Sequence, residues 1–531
     1  MSEEGGAKKR KYEPSATDDR DETIRRLSSE IVRMKKFMNV HADVTLYASE
    51  KAVTETPEVM PENGCPAYFA LEAIKNEQEL DFRPRLNTSS YVNVVSEPEE
   101  KQVALLGLSV NIADQTIYPQ SFKMHNDALN MIAHLWNCPK NEAEFNEAGC
   151  FAGAGTVGST EACLLAGLAL KFRWRKWYAA KNNMSEAEVR GIYPNLVISD
   201  LFQACWEKLF RYLDIEPRFI QPSYKTSTIT GEQVRGLVDD KTIGVVCIMG
   251  NHYGGQYDPV WEVAEVLEKI NQANGWQVGI HVDAASGGFI APFQSTLPAW
   301  DFRVPQVLSI SSSGHKFGES CCGTGWVVWR QRAGLSEHIA ISVSYLGGNA
   351  DSYTLNFSRP ASGPFVQLYK FLRLGRRGYQ ALCDNMMSNA KYLRDGLKTL
   401  KKDGVNYFVF LDNGDTECLP VVTAYFNPDL DLPFDCIDLQ HALSTSHWYV
   451  SGYKMSYNHP LTEESMPLFC DADKETTMFR VVVKSNVTRD MMKHLLNIIR
   501  ETMQTMESMG GGYALLHRKT KALKTKHHTA C

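Results

Sequence analysis

The sequence predicts an α/β protein built on a mostly parallel sheet, and three observations carry that expectation. Short β-rich runs recur through the centre of the chain, at 196–198, 243–248, 278–282, 307–310 and 326–329. Each is apolar without strict alternation, as a strand buried on both faces must be. Helical patterns lie between several of them. The clearest places Val260, Val263, Ala264, Leu267 and Ile270 on one face, with glutamates and a lysine on the other. Finally, polar residues gather just after two of the runs, and ligands of such sheets bind beyond the carboxyl ends of the strands.

The flanking elements follow in order. Residues 1–21 are polar, with Lys8, Lys9, Arg10 and Lys11 ahead of Asp18, Asp19 and Asp21, which reads as a disordered arm. From Ile24 the apolar positions Ile24, Leu27, Ile31 and Met34 have helical spacing and open an N-terminal segment over 22–115. The large domain is expected over 116–385. A smaller α/β domain is expected over 386–509, with helical patterns at 392–400 and 491–503 and strand-like runs at 407–411 and 479–483. Gly510, Gly511 and Gly512 form a break, beyond which 510–531 is a flexible basic tail.

Composition excludes several function classes. The 531 residues are 44% hydrophobic and 22% charged, with a net charge of -6. That charge argues against nucleic acid as a partner, since a phosphate backbone needs a basic footprint. No run of about 18 apolar residues is present, so no membrane span is expected. No apolar stretch follows the basic N-terminus, so no secretory signal is expected. The 13 cysteines are scattered and show no zinc spacing. They read as reduced thiols of a cytoplasmic protein with no metal.

Two strand ends carry the chemistry. One reads His281-Val282-Asp283-Ala284-Ala285-Ser286-Gly287-Gly288, an aspartate followed by small residues that leave room for a flat ligand against the backbone. The other reads Ser311-Ser312-Ser313-Gly314-His315-Lys316 and crowds hydroxyls, an imidazole and an amine together. That set suits a phosphate beside a nucleophilic lysine. Taken singly, a serine-rich loop is a turn and a lone lysine a solvated charge. The pair, in this order and each at a strand end, is far more specific.

The stretches HVDAASGGFIAPF and SISSSGHKFG, with GWVVWR after them, resemble the group II pyridoxal-phosphate decarboxylases, specifically glutamate decarboxylases of the bacterial and plant type. Further matches are YPQS from Tyr118, GTVGSTEACLLAG from Gly155, QACWEK from Gln203, NFSRPASG from Asn356 and YKFLRLGRRGY from Tyr369. The resemblance covers roughly residues 65 to 505. It implies fold type I, the aspartate-aminotransferase type, assembled as a homodimer or higher homo-oligomer with sites at the interface.

It also implies roles. Lys316 would hold pyridoxal 5'-phosphate as a Schiff base, and Asp283 would pair with the pyridine nitrogen and make the ring an electron sink. Ala285 would lie under one ring face and Gln203 against the other. Ser159 and Thr160, at a helix start, would cradle the phosphate, with Ser313 and His315 completing it and Ser358 arriving from the neighbouring subunit. Arg480 matches the arginine near the substrate α-carboxylate. Ser90, Tyr91 and Asp114, with Phe357 from the neighbour, match the region that reads the far carboxylate. An aspartate can recognise a carboxylate if one of the two is protonated, which a desolvated site encourages.

The chain departs from the family pattern at Tyr91, at Val94 and Val95 (a Thr-Trp pair in the family), at Glu319 to Thr324, and at His252, where a threonine is usual. His252 is a candidate proton donor or a larger pocket wall. The basic tail is similar in charge to the calmodulin-binding segment of plant relatives but lacks a tryptophan anchor. The expected activity is α-decarboxylation of L-glutamate to 4-aminobutanoate and CO2. The alternatives are another acidic substrate (aspartate or cysteine sulfinate), a sphingosine-phosphate-lyase-like carbon–carbon lyase, or a scaffold without turnover.

Overall fold

The computed structural model describes residues 24–32, 58–334, 341–343, 350–412, 417–473 and 475–511. The N-terminal arm and the basic tail beyond 511, with its candidate calmodulin-like partner, lie outside the described residues. The chain divides into two compact units, Met1–Phe82 and Arg83–Cys531. In the first, a helix covers 24–32, and Ile24, Leu27 and Ile31 on its expected apolar stripe are exposed. A second helix spans Ala67–Gln78.

The second unit is centred on seven strands: β1 (Gly153–Val157), β2 (Asn195–Ser199), β3 (Glu216–Ile220), β4 (Thr242–Ile248), β5 (Ile280–Asp283), β6 (Val307–Ser312) and β7 (Thr324–Trp329). Their order in the sheet is β1-β7-β6-β5-β4-β2-β3. β7 runs antiparallel to both neighbours, and the other pairs are parallel. β2, β4, β5 and β7 are buried at every residue, which is why they read as unbroken apolar runs. β1 and β3 were not legible: β1 contains two glycines, and edge strand β3 is half exposed and contains Pro217. β5 begins two residues later than the run at 278 implies. The Asn271 side chain bonds both the N–H and the carbonyl of Val278, at 3.0 and 2.8 Å, and takes it out of the ladder.

Helices cover the sheet. Gly158–Asn182 links β1 to β2, Ala204–Leu213 links β2 to β3, and Val260–Asn274 links β4 to β5. The last buries Val260, Val263, Ala264, Leu267 and Ile270 and stops at Gly275, whose φ of 65° needs no Cβ relief. Fully buried side chains such as Trp206, Trp326 and Phe210 anchor these layers, each contributing about 1.5–3 kcal/mol by burial.

The helical stretch Ser362–Leu397 begins far ahead of the pattern at 392–400 and consists of two helices that meet at a kink at Gly375 (φ 58°). Its far end, with Ala390, Leu393 and Leu397, enters a second core. There, Phe408–Phe410, Val421–Phe426, Thr477–Val482 and Ser451–Lys454 form an antiparallel sheet in that order. Cys436–Ser444 and Arg489–Met509 complete the region. Thr88 bonds to both parts of it, donating to the Tyr449 carbonyl and accepting from Val482 N–H. Five residues on, Asn93 N–H donates to the His315 carbonyl. The segment from Thr88 to Asn93 therefore ties the smaller sheet to the Lys316 loop.

Candidate active site

Asp283 is the last residue of β5 and is buried. Its Oδ2 accepts from Trp206 Nε1 at 2.7 Å, and its Oδ1 accepts from Ala285 N–H at 3.0 Å. Both carboxylate oxygens are thus held. Ala285 is fixed in turn, its carbonyl accepting from Ser313 N–H at 3.2 Å. The Cys163 and Cys205 thiols lie behind, within 4.8 Å of each other and of the Asp283 carboxylate.

Lys316 follows β6 by four residues, and its Nζ donates to Ser286 Oγ at 3.1 Å. Burial lowers the pKa of this amine, Asp283 and the two thiols oppose the shift, and Arg480 adds to it. The Ser312 and Ser313 hydroxyls are buried without a partner among the described residues, and such groups call for a polar ligand. His315 donates from Nδ1 to the Thr324 carbonyl at 2.8 Å, and burial together with Lys316 lowers its pKa to about 4, so the ring is neutral. Its Cε1 stands 3.7 Å from where a Cβ on Gly158 would fall. Gly158, with φ 71°, opens the helix Gly158–Asn182. Ser159 and Thr160 sit in its first turn and do not cap it, so the N-terminus beside His315 presents backbone donors and hydroxyls.

Opposite the loop stand Tyr91, His252, Gln203 and Arg480. Gln203 Nε2 lies 2.6 Å from His252 Nδ1. The amide nitrogen can only donate, so Nδ1 accepts and the imidazole proton sits on Nε2. Burial, then Arg480 and Lys316, push the His252 pKa well down, and the ring stays neutral. The His252 carbonyl accepts from Tyr91 Oη at 3.1 Å and from Arg480 Nη1. Arg480 also donates to the Ser89 carbonyl at 2.9 Å and to Ser451 Oγ at 3.3 Å, while its buried Nε has no partner among the described residues. The Tyr91 ring is flanked by two cations, with Lys316 Nζ 5.3 Å and Arg480 Cζ 4.9 Å from its centroid. Burial raises the Tyr91 phenol to about 12, so it remains a donor.

The predicted residues fall into two groups. Lys316, Asp283, Ala285, Ser313, His315, Gln203, His252, Tyr91 and Arg480 are connected by the contacts above, and Ser90 adjoins Tyr91. Asp114, Phe357 and Ser358 make up the second, and Asn356 beside Phe357 donates its N–H to Glu161 Oε1 at 2.8 Å, in the first turn of Gly158–Asn182. Asn111 Nδ2 donates to Asp114 Oδ2 at 3.4 Å and to Ser358 Oγ at 3.3 Å. Phe357 lines a cavity with Asn126, Tyr353 and Arg359. Sequence reasoning missed Trp206, Ser286 and Tyr453. The first two stand inside the QACWEK and HVDAASGG stretches, where their neighbours drew notice. Tyr453 comes from the smaller sheet, 3.4 Å from Arg480 Nη1.

The arrangement fits pyridoxal phosphate. It offers a buried amine, a fixed carboxylate for a protonated ring nitrogen, a small residue and an amide for the ring faces, and unpartnered hydroxyls near a helix N-terminus for the phosphate. Comparison with known proteins agrees. Residues 102–413 match the pyridoxal-dependent decarboxylase conserved domain. Glutamate decarboxylase 1 of Arabidopsis thaliana is 34% identical over 466 residues, covering 87% of this chain and 86% of its own. The glutamate decarboxylase of Lactococcus lactis subsp. lactis is 33% identical over 475 residues, covering 89% and 94%. The solved glutamate decarboxylase of Lactobacillus brevis superposes with a TM-score of 0.76 at 32% identity, over 85% of this chain and 96% of that one. A sphingosine-1-phosphate lyase of Burkholderia pseudomallei, at 19% identity and a TM-score of 0.66, shares the fold. With residues 102–413 matched in sequence and 85% of its length paralleled by the Lactobacillus brevis structure, this chain belongs to the pyridoxal-dependent decarboxylase family.

Proposed function

We propose that this chain removes the α-carboxyl group of L-glutamate, giving 4-aminobutanoate and CO2. The observation that carries the reading is the buried Lys316 amine, bonded to Ser286 and influenced by the Asp283 charge, within a chain whose relatives of 33–34% identity are glutamate decarboxylases. Bound there, pyridoxal phosphate supplies an electron sink for the pair left on Cα when the carboxylate departs. Asp283, locked by Trp206 and Ala285, would pair with the ring nitrogen. Ala285 and Gln203 would bound the ring faces, and Ser159, Thr160, Ser313 and His315 would hold the phosphate. Arg480 has no carboxylate partner among the described residues, so it is the group available to the substrate α-carboxylate. Lys316 Nζ, an ammonium weakened by burial, returns the proton to Cα.

Ser90 and Tyr91 belong to the near side of the pocket. Asp114 would serve the far end, with Phe357 from a second copy of the chain, whose Ser358 would complete the phosphate cradle, which makes the enzyme a homodimer. The free thiols among the described residues support a reducing, cytoplasmic setting. No helix of the described residues is long and apolar enough to cross a membrane.

The test is direct. Full-length protein incubated with pyridoxal phosphate should absorb near the visible edge, and borohydride should fix the cofactor to Lys316. Lys316→Ala should lack that adduct. CO2 release should be greatest with glutamate in a panel that includes aspartate, cysteine sulfinate and aromatic amino acids. Colourless wild-type protein refutes the cofactor assignment, and a better aromatic substrate refutes the roles of Ser90 and Asp114.

A further inference from the structure

We propose that His252 is a positioning residue for the Gln203 amide rather than the proton donor of the reaction. The proposal rests on the reading that the Lys316 site holds pyridoxal phosphate. Gln203 is the residue before the helix Ala204–Leu213, yet its side chain makes no capping bond there. Its amide is committed instead to His252 Nδ1 at 2.6 Å. The His252 ring is hemmed in by Tyr253, Tyr91 and Tyr453, with centroids 5.5, 5.7 and 6.5 Å away. These three rings pack around the imidazole, whose Nδ1 orients the Gln203 amide.

The backbone of the same residue is equally committed. The His252 carbonyl accepts from both Tyr91 and Arg480, which fills its two lone pairs. His252 therefore joins Gln203, carried by the large sheet, to Arg480, carried by the small one. A ring with Nδ1 engaged as an acceptor offers only the N–H at Nε2. A neutral imidazole N–H is a far weaker acid than an ammonium, and Lys316 already supplies an ammonium in the same site. Chemistry at His252 is thus superfluous, whereas its geometry is not.

The experiment uses full-length His252→Phe, His252→Asn, Gln203→Ala and the His252→Phe/Gln203→Ala double variant. Each is stripped of cofactor and titrated with pyridoxal phosphate, followed by visible circular dichroism, and the pH profile of kcat is recorded. His252→Phe should weaken cofactor affinity about tenfold, the usual effect of stranding a buried hydrogen-bonding group. It should also change the dichroism of the bound cofactor. Gln203→Ala should give the same shifts, and the double variant should add nothing, since the two act as one unit. His252→Asn keeps an acceptor for Gln203 and should recover affinity to within about threefold of wild type. The proposal is overturned if His252→Phe and Gln203→Ala act additively. It is equally overturned if His252→Asn binds cofactor normally but loses kcat about 100-fold together with one ionisation in its pH profile, the mark of a lost acid. Wild-type protein that takes up no cofactor defeats the underlying reading and this proposal with it.

Discussion

Trp206 Nε1 donates to Asp283 Oδ2 at 2.7 Å, and both residues are buried. The bond joins the helix after β2 to the end of β5, so the position of the carboxylate proposed to pair with the cofactor depends on a core residue. A hydrogen bond to a charged acceptor contributes about 1.5–3 kcal/mol. Trp206→Phe keeps most of the packing and removes the donor. We expect it to weaken pyridoxal phosphate binding about 10- to 100-fold, as the same energies imply, with the Lys316 adduct still forming at saturation. Equilibrium dialysis measures this, and unchanged affinity would show that the indole only fills space.

Glu319 gives the fold a pH dependence of definite sign. It lies three residues after Lys316, with a φ of 61°, and Ser485 Oγ donates to its Oε2 at 2.9 Å. Burial raises its carboxyl from 4.5 to about 7, against the lowering effects of Ser485, Lys370 and Lys484, while Glu100 adds to the rise. Between those two values the folded chain keeps a proton that the unfolded chain has released. Stability from this group is therefore fully present below 4.5 and lost as pH rises through about 7. The shift corresponds to at most about 3 kcal/mol. Glu319→Gln cannot ionise, so its stability relative to wild type should grow between pH 5 and pH 8. Denaturant midpoints at the two pH values decide the matter, and a constant difference refutes it.

The Lys316–Asp283 pair was legible because Asp283 closes one buried, apolar strand and Lys316 stands in the loop just beyond another, where charged groups are unusual. Trp206 was not legible for the converse reason, since a tryptophan on an amphipathic helix reads as core and its N–H carries no signal. In sequence, Arg480 simply precedes the apolar run Val481 to Val483. It lies within Thr477–Val482 and is 2% exposed, because its partners come from Ser89, His252, Ser451 and Tyr453. No local pattern announces four contacts so distant in sequence. β1 and β3 escaped notice because edge strands need not be apolar on both faces.

Arg480 should bind rather than react. Its guanidinium is fixed by carbonyls and hydroxyls, which leaves its charge for an incoming carboxylate. Arg480→Lys retains the charge but loses the planar fork, and a point charge cannot span the same partners. We expect kcat/KM for glutamate to fall about 100-fold, equivalent to about 3 kcal/mol. The borohydride-fixable cofactor should remain at wild-type levels. Loss of cofactor in this variant would instead place Arg480 in the cofactor site.

Asp114 and Ser358 share Asn111 as a common donor, at 3.4 and 3.3 Å. If a second copy brings them to the pocket, each site of the dimer uses Lys316 from one chain and Phe357 and Ser358 from the other. Phe357→Asp should then be inactive as a homodimer, as should Lys316→Ala. Co-expression of the two variants creates hybrid dimers in which one site is damaged twice and the other is intact. Random pairing makes half the dimers hybrid, so about a quarter of wild-type activity should return. Sedimentation of the separate variants must first show that both still dimerise. Restored activity in the mixture is the expected result, and a mixture as inactive as its parents would place Phe357 in the same site as the Lys316 of its own chain.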